Sequence, residues 1–171
     1  GAVTLPGAQA GLTGPHISLA TSPLATCTEF TVAIWIKPDA IDSSRIFDFG
    51  TGANSYIYLS LTDGTGLHFG MAAPGKTTFN LAAPPELTVD GRWHHVAVTL
   101  LAGTVRIFVD GVQQATMGGT TIRPTDLGAT TENWIGRSRM TGDRYLSAAL
   151  DELRIACRAY TPNEITNLSR P

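Results

Sequence analysis

The sequence predicts an all-β protein, two antiparallel sheets packed face to face as a sandwich, with one short helix at the C-terminus. Three observations carry this. Apolar residues recur at every second position in a series of short runs, the period of a strand with one face in a core. Turn residues divide the runs, including Thr62-Asp63-Gly64-Thr65-Gly66, Ala102-Gly103 and Asp110-Gly111, where Gly and Asp accept the positive φ that tight hairpins need. The helical period is confined to the tail, and there is no internal repeat and no low-complexity linker, so many short strands must bury their faces against one another.

Taken in order, "EFTVAIWIKP" sets Phe30, Val32, Ile34 and Ile36 on one face against Thr31, Ala33, Trp35 and Lys37. "SRIFDFG" sets Phe47 and Phe49 against Asp48, "SYIYLSL" sets Ile57, Leu59 and Leu61 against Tyr56 and Tyr58, and "GLHFGMA" sets Leu67, Phe69 and Met71 against His68. In "HHVAVTL" the core set is Val96, Val98 and Leu100, opposite His95, Ala97 and Thr99. "TVRIFVDG", "NWIGRS" and "LDELRIA" complete the strands. In "TPNEITNLS" Thr161 is an N-cap, Pro162 opens the helix and Glu164 is the capping-box partner, which predicts a helix from Pro162 to Leu168.

At 171 residues the chain is long enough for one domain with a real core, read as a single unit over 1–171. Twelve basic and fourteen acidic side chains give a net charge of −2, so there is no cationic field for nucleic acid or anionic lipid. No apolar run approaches the ~20 residues of a membrane span. The N-terminal "GAVTLPGAQAGLTG" lacks the pattern of a signal peptide, so the chain reads as processed or cut from something larger. Cys27 and Cys157 stand far apart, with no zinc spacing around them. Either they are small buried hydrophobes or they form a disulfide between the first and last of these strands, which requires an oxidising compartment.

Trp93, His94 and His95 open a hairpin, and no Ser, Cys or H-E-x-x-H motif accompanies them. Their ring nitrogens are expected to satisfy turn groups at the strand entrance rather than to perform chemistry.

The strings "GRWHHVAVTL", "GTVRIFVDGV", "NWIGRS" and "LSAALDELRIACRAYTPNEI", spread over about Gly14 to Ile165, resemble the laminin G-like, concanavalin A-like jelly-roll domains. The resemblance implies an antiparallel jelly roll of two curved sheets, appended in secreted bacterial carbohydrate-active enzymes as a non-catalytic module. It also implies a structural Ca²⁺. Cys157 stands where the pattern has an aromatic or Asn, a departure that supports the disulfide reading.

On that footing a site can be read from the faces. Asp48, Tyr56, Tyr58 and His68 are expected to project together from three consecutive strands. Tyrosine rings stack on a sugar's apolar face while Asp and His bind its hydroxyls. Trp134 points outward if Ile135 points in, and the loop after it brings Arg137, Arg139, Asp143, Arg144 and Tyr145 to a rim. The expected ligand set is Asp48, Tyr56, Tyr58, His68, Trp134, Arg137, Asp143 and Tyr145, for a polysaccharide or oligosaccharide. Strict alternation puts Asp151 on the core side with Leu153 and Ile155, where a carboxylate needs a partner: either a backbone donor or an Arg from a neighbouring loop, or a Ca²⁺, for which Asp151 is the candidate ligand. Glycosidases of this architecture use carboxylates on alternate residues of one strand, roughly 5 to 10 Å apart. Asp151 and Glu152 are adjacent and diverge. The function expected is a non-catalytic carbohydrate-binding module, secreted and linked to a catalytic domain. The alternatives are a protein-adhesion module, or a cryptic glycan lyase or hydrolase, the lyase chemistry resting on Tyr56, Tyr58 and His68.

Overall fold

Residues of one parity in each apolar run are buried, and two sheets close over them in the computed structural model, which describes residues 1–62, 66–84 and 87–170. In chain order the strands are β1 (Val3–Ala8), β2 (Ile17–Ser18), β3 (Phe30–Pro38), β4 (Arg45–Thr51), β5 (Ser55–Thr62), β6 (Gly66–Ala72), β7 (Phe79–Ala82), β8 (His94–Leu101), β9 (Thr104–Val109), β10 (Val112–Met117), β11 (Glu132–Ile135) and β12 (Tyr145–Ala156). One sheet has the order β1-β12-β3-β8-β9-β10 and the other β2-β11-β4-β5-β6-β7; they are called the front and back sheets below. Every pairing within them is antiparallel. The architecture is the antiparallel jelly-roll sandwich predicted.

The core lies between the sheets, where Phe30, Val32, Ile34 and Ile36 of β3 meet Phe47, Phe49, Ile57, Leu59, Phe69 and Met71 of the back sheet, all buried. Ala102 and Gly103 (φ 47° and 76°) turn β8 into β9, and Asp110 and Gly111 (φ 50° and 78°) turn β9 into β10. Both are two-residue turns with positive φ throughout, whose twist matches that of the strands. The Asp63-Gly64-Thr65 turn lies outside the described residues.

The helix α1 (Pro162–Leu168) forms where its signals predict, with Thr161 Oγ1 accepting from the Glu164 amide and the Glu164 carboxylate accepting from the Thr161 amide. It packs on the outer face of the front sheet. Ile165 joins Ala33, Ala97 and Phe108 in a second, smaller apolar cluster, with Tyr160 against it. Thr31 Oγ1 donates to the Arg158 carbonyl and accepts from the Tyr160 amide, both at 2.8 Å, stitching the chain to β3 before the helix begins.

Four strands carry too little signal to be read in advance. β1 contains Pro6 and Gly7, β2 is two residues long, β7 has only Phe79 and Leu81 buried, and β10 buries no residue fully.

Strict alternation fails in β12. Leu150 pairs with Ile36 and Asp151 with Trp35, then the register slips between Asp151 and Arg154, around Glu152 at φ 47°. This bulge inserts a residue, so Ile155, opposite Val32, faces inward although Asp151 does not. Asp151 is thus on the outer face with Trp35, not on the core side, and its Oδ1 accepts from the Glu152 amide at 2.8 Å.

Cys27 and Cys157 are bonded across 130 residues. The bond joins the segment entering β3 to the segment leaving β12, neighbours in the front sheet. The Cys27 carbonyl also accepts from Thr125, holding a 3₁₀ turn (Pro124–Leu127) against the same segment.

Candidate functional site

The outer face of the back sheet is built by register. Trp134 of β11 lies opposite Asp48 of β4, Asp48 opposite Tyr58 of β5, and Tyr58 opposite Gly70 of β6, so four strands present these positions in one row. Tyr56 and His68 flank the row, with ring centroids 5.7 Å and 5.9 Å from Tyr58. The expected gathering of Asp48, Tyr56, Tyr58, His68 and Trp134 on one face is present.

Their partners change what each can do. The segment after β11 folds back over the face, and Arg139 closes on Asp48, Nε to Oδ1 at 2.6 Å and backbone N–H to Oδ2 at 3.1 Å. Asp48 is wholly buried, and Arg45 comes within 3.6 Å of it. Burial pushes the Asp48 carboxyl above its ordinary value, with Arg139 and then Arg45 pulling it down. Expected as a ligand contact, Asp48 is instead an internal anchor, because both its oxygens are engaged by Arg139. That anchor leaves no room for a side chain at position 50, where a Cβ would stand 2.7 Å from Arg139 Nε.

The aromatic rings are likewise capped by arginines. The Arg45 guanidinium lies 3.4 Å above the Tyr58 ring, and a Cβ on Gly70 of β6 would stand 2.4 Å from that ring. Tyr58 is therefore wedged between a cation and a glycine backbone. Arg139 lies 4.6 Å over Tyr56. Burial raises the Tyr58 hydroxyl's pKa, against Arg45; burial and Arg45 together lower that of His68.

A second cluster sits beside the first. The Arg137 guanidinium stacks 3.8 Å over Trp134 and lies 5.9 Å from the Tyr145 ring. The imidazole of His16 meets both rings edge-on, at 6.0 and 5.9 Å, and its Nε2 is 3.3 Å from Arg137 Nη1. Trp134 does face outward, half-buried, as the alternation implied. Asp143 accepts from Ser138 Oγ at 2.6 Å and lies 3.9 Å from Arg45, so it pins the covering loop to the sheet.

Three side chains of this face were not in the expected set. Arg45 sits at a register shift at the start of β4, which hid its direction. Arg139 was read only as one of several loop arginines, and His16 precedes a strand too short to read. The only signal for Arg139 was the buried charge of Asp48, which alternation alone does not reveal.

Elsewhere, His94 bridges Asp110 (2.8 Å) and Asp90 (3.3 Å), while Asp110 Oδ1 accepts from the His95 amide. The His94 ring thus ties the turn before β8 to the turn after β9, as expected, whereas the His95 ring Nδ1 is buried with no hydrogen-bond partner among the described residues, and His95 joins this network through its backbone amide. Burial lowers the pKa of His95, whose ring meets Trp35 edge-on at 5.4 Å. The surroundings of Asp151 do not fit the expected Ca²⁺: the carboxylate faces outward, and among the described residues no three His, Cys, Asp or Glu side chains gather as a metal-holding set.

Fold and site together define a lectin-like sandwich with a cation-capped aromatic face. The chain belongs to the concanavalin A-like lectin/glucanases superfamily, whose Laminin_G_3 model matches residues 11–166. No curated protein sequence matches the chain. Among solved structures it is similar to the CBM40 of the Ruminococcus gnavus IT-sialidase, a structure with bound α2,3-sialyllactose, at 13% identity and TM-score 0.74, covering 94% of this chain and 100% of that one. It is also similar to domain 4 of AbnA, a GH43 extracellular arabinanase of Geobacillus stearothermophilus, in complex with arabinotriose: 20% identity, TM-score 0.73, 98% and 82% covered. A third is the LG4-5 segment of the mouse laminin α1 chain, at 21% identity and TM-score 0.69, covering 92% of this chain and 44% of that one.

Proposed function

We propose that this domain is a non-catalytic carbohydrate-binding module, secreted as part of a larger protein and carried beside a catalytic domain, and that it holds an oligosaccharide on the outer face of the back sheet. The observation that supports the reading is the stacking of the Arg137 guanidinium on Trp134. Such stacking fixes a flexible side chain in place while leaving its N–H edge outward, so hydrogen bonds to sugar hydroxyls cost little further entropy. Exposed ring edges beside these donors supply apolar contact. The disulfide agrees with an extracellular setting.

Arg137 is the residue to test, because its one polar side-chain partner among the described residues is His16. Arg137→Ala is expected to weaken retardation in polysaccharide gels by about tenfold, a contact worth roughly 1–2 kcal/mol on a shallow site, while the melting temperature changes little. Unchanged retardation would count against this face. Binding to matrix proteins without glycan binding would favour the adhesion reading, which the similarity to laminin domains supports. Release of reducing or unsaturated sugar ends would make the domain an enzyme.

A further inference from the structure

A sizeable concavity lies away from the aromatic face. It is a groove of about 760 Å³ at one end of the sandwich, against about 200 Å³ for the cleft beside Arg144. Its polar walls are Thr28, Glu29, Lys76, Thr121, Arg123 and Asp126, and it shares no residue with the sheet face described above.

The walls of this groove are tied by a disulfide and by backbone hydrogen bonds. Thr28 and Glu29 follow Cys27 directly, so the disulfide fixes one wall. The Thr125 amide donates to the Cys27 carbonyl at 3.0 Å, tying the opposite wall to the same point. The Thr120 amide donates to the Gly103 carbonyl at 3.2 Å, and the Thr120 carbonyl lies so close that a Cβ on Gly103 would stand 2.6 Å from it. Gly103, at φ 76°, thus serves both the hairpin turn and the floor of the groove. Lys76 reaches Asp126 at 3.9 Å from the turn after β6.

The chemistry of the lining selects a ligand class. Glu29 and Asp126 balance Lys76 and Arg123, so a phosphate or sulfate gains no net attraction. Leu100 and Ile122 supply too little apolar wall for a lipid or a large aromatic group, and both are buried. Among the described residues the half-buried Glu29 carboxylate makes no hydrogen bond or ion pair, and neither do the Thr28 and Thr121 hydroxyls. A carboxylate accepting from two neighbouring hydroxyls, a guanidinium donating to them and threonines doing either is the pattern that binds a polyhydroxylated ligand. The volume lies within the ~300–1,000 Å³ usual for small-ligand sites.

We infer that this rim groove is a second glycan site, taking a short oligosaccharide with Glu29 as the hydroxyl acceptor and Arg123 as the donor. The inference rests on the reading of the domain as carbohydrate-binding. The test is an array of arabino-, xylo- and gluco-oligosaccharides together with sialyllactose, followed by titration of the best binder against wild type, Glu29→Gln, Arg123→Ala and Arg137→Ala. Glu29→Gln and Arg123→Ala are each expected to lose tenfold or more in affinity with the melting temperature held. If they bind as wild type while Arg137→Ala loses affinity, the groove is not a site and the proposed function stands. If wild type retains no glycan, both fall. Should Glu29→Gln lower the melting temperature, amide shifts in the wild type on adding the same glycan decide: movement at Thr28, Gly103 and Thr121 supports the groove, and movement confined to the back-sheet face overturns it.

Discussion

Asp48 shows how a residue's meaning depends on what lies above it. Its place on the outer face follows from Phe47 and Phe49 on either side, and that much is legible in the sequence. Its burial is not, because the cover comes from Arg139, ninety-one positions away in the chain, and no local period encodes such a contact. Expectation and structure also part at Tyr58, read as an open stacking platform and found between Arg45 and Gly70. Tyr58→Ala is therefore expected to destabilise the domain by about 3 kcal/mol or more as a large ring is removed from a packed position, measured by urea unfolding; an unchanged midpoint would return Tyr58 to the ligand. Arg139→Ala leaves a buried carboxylate without its main partner and should cost about 3–5 kcal/mol at pH 7. The pH dependence identifies the cause. Asp48 has a folded-state pKa above its unfolded value, so its contribution to stability is fully present below the unfolded value and is lost as pH rises through the folded one. Without Arg139 that pKa rises further, and the penalty of the variant should shrink between pH 7 and pH 4. A penalty independent of pH would mean that lost packing, not the charge, is responsible.

The strands legible in advance are β3 to β6, β8, β9, β11 and β12, and the helix α1, whose start is written in three residues. Edge strands escaped because their partners, not their own residues, define them: β10 buries no residue fully, and β1 takes its pairing from β12. The bulge at Glu152 escaped for a different reason, since one inserted residue in a twelve-residue strand leaves the apolar pattern readable on both sides while reversing the face of Asp151. With Asp151 outward, the melting temperature is expected to be the same in calcium and in chelator, and a rise with calcium would show that the backbone and carboxylates nearby assemble a site after all. The helix makes a sharper prediction. Arg158 and the Thr161 amide hold the Glu164 carboxyl down at about 2. A lowered pKa contributes stability above the unfolded value, near 4.5, which is lost as pH falls toward 2. Helical ellipticity and cover over Phe108 should therefore decline across that window, and Glu164→Gln should remove the dependence. Thr161→Ala is expected to cost about 1 kcal/mol as a lost N-cap, and Ile165→Ala about 2–5 kcal/mol as a lost core contact.

The sandwich as a whole is closed by one covalent link. The bond from Cys27 to Cys157 encloses 130 residues of separation, which includes all of the back sheet but β2 and all of the front one but β1. A loop of that length loses much freedom in the unfolded chain, worth at most about 5 kcal/mol in the chain-entropy account, with measured values typically 2–4. The folded ends are already neighbours, because β3 and β12 pair through seven positions, so the bond acts chiefly on the unfolded chain rather than by forcing strands together. Cys27→Ser with Cys157→Ser should accordingly lower stability by about 2–4 kcal/mol while leaving the sheet spectrum intact, and reductant should lower the wild type to the same level. The bond also has a local consequence through the Cys27 carbonyl, which holds the Thr125 amide and with it one wall of the rim groove. In the double variant the Thr125 amide is expected to exchange its hydrogen faster than the global loss of stability accounts for, whereas amides of β5, remote from the bond, should follow the global change alone. Uniform acceleration across both would show that the disulfide sets stability only and leaves the groove to its hydrogen bonds.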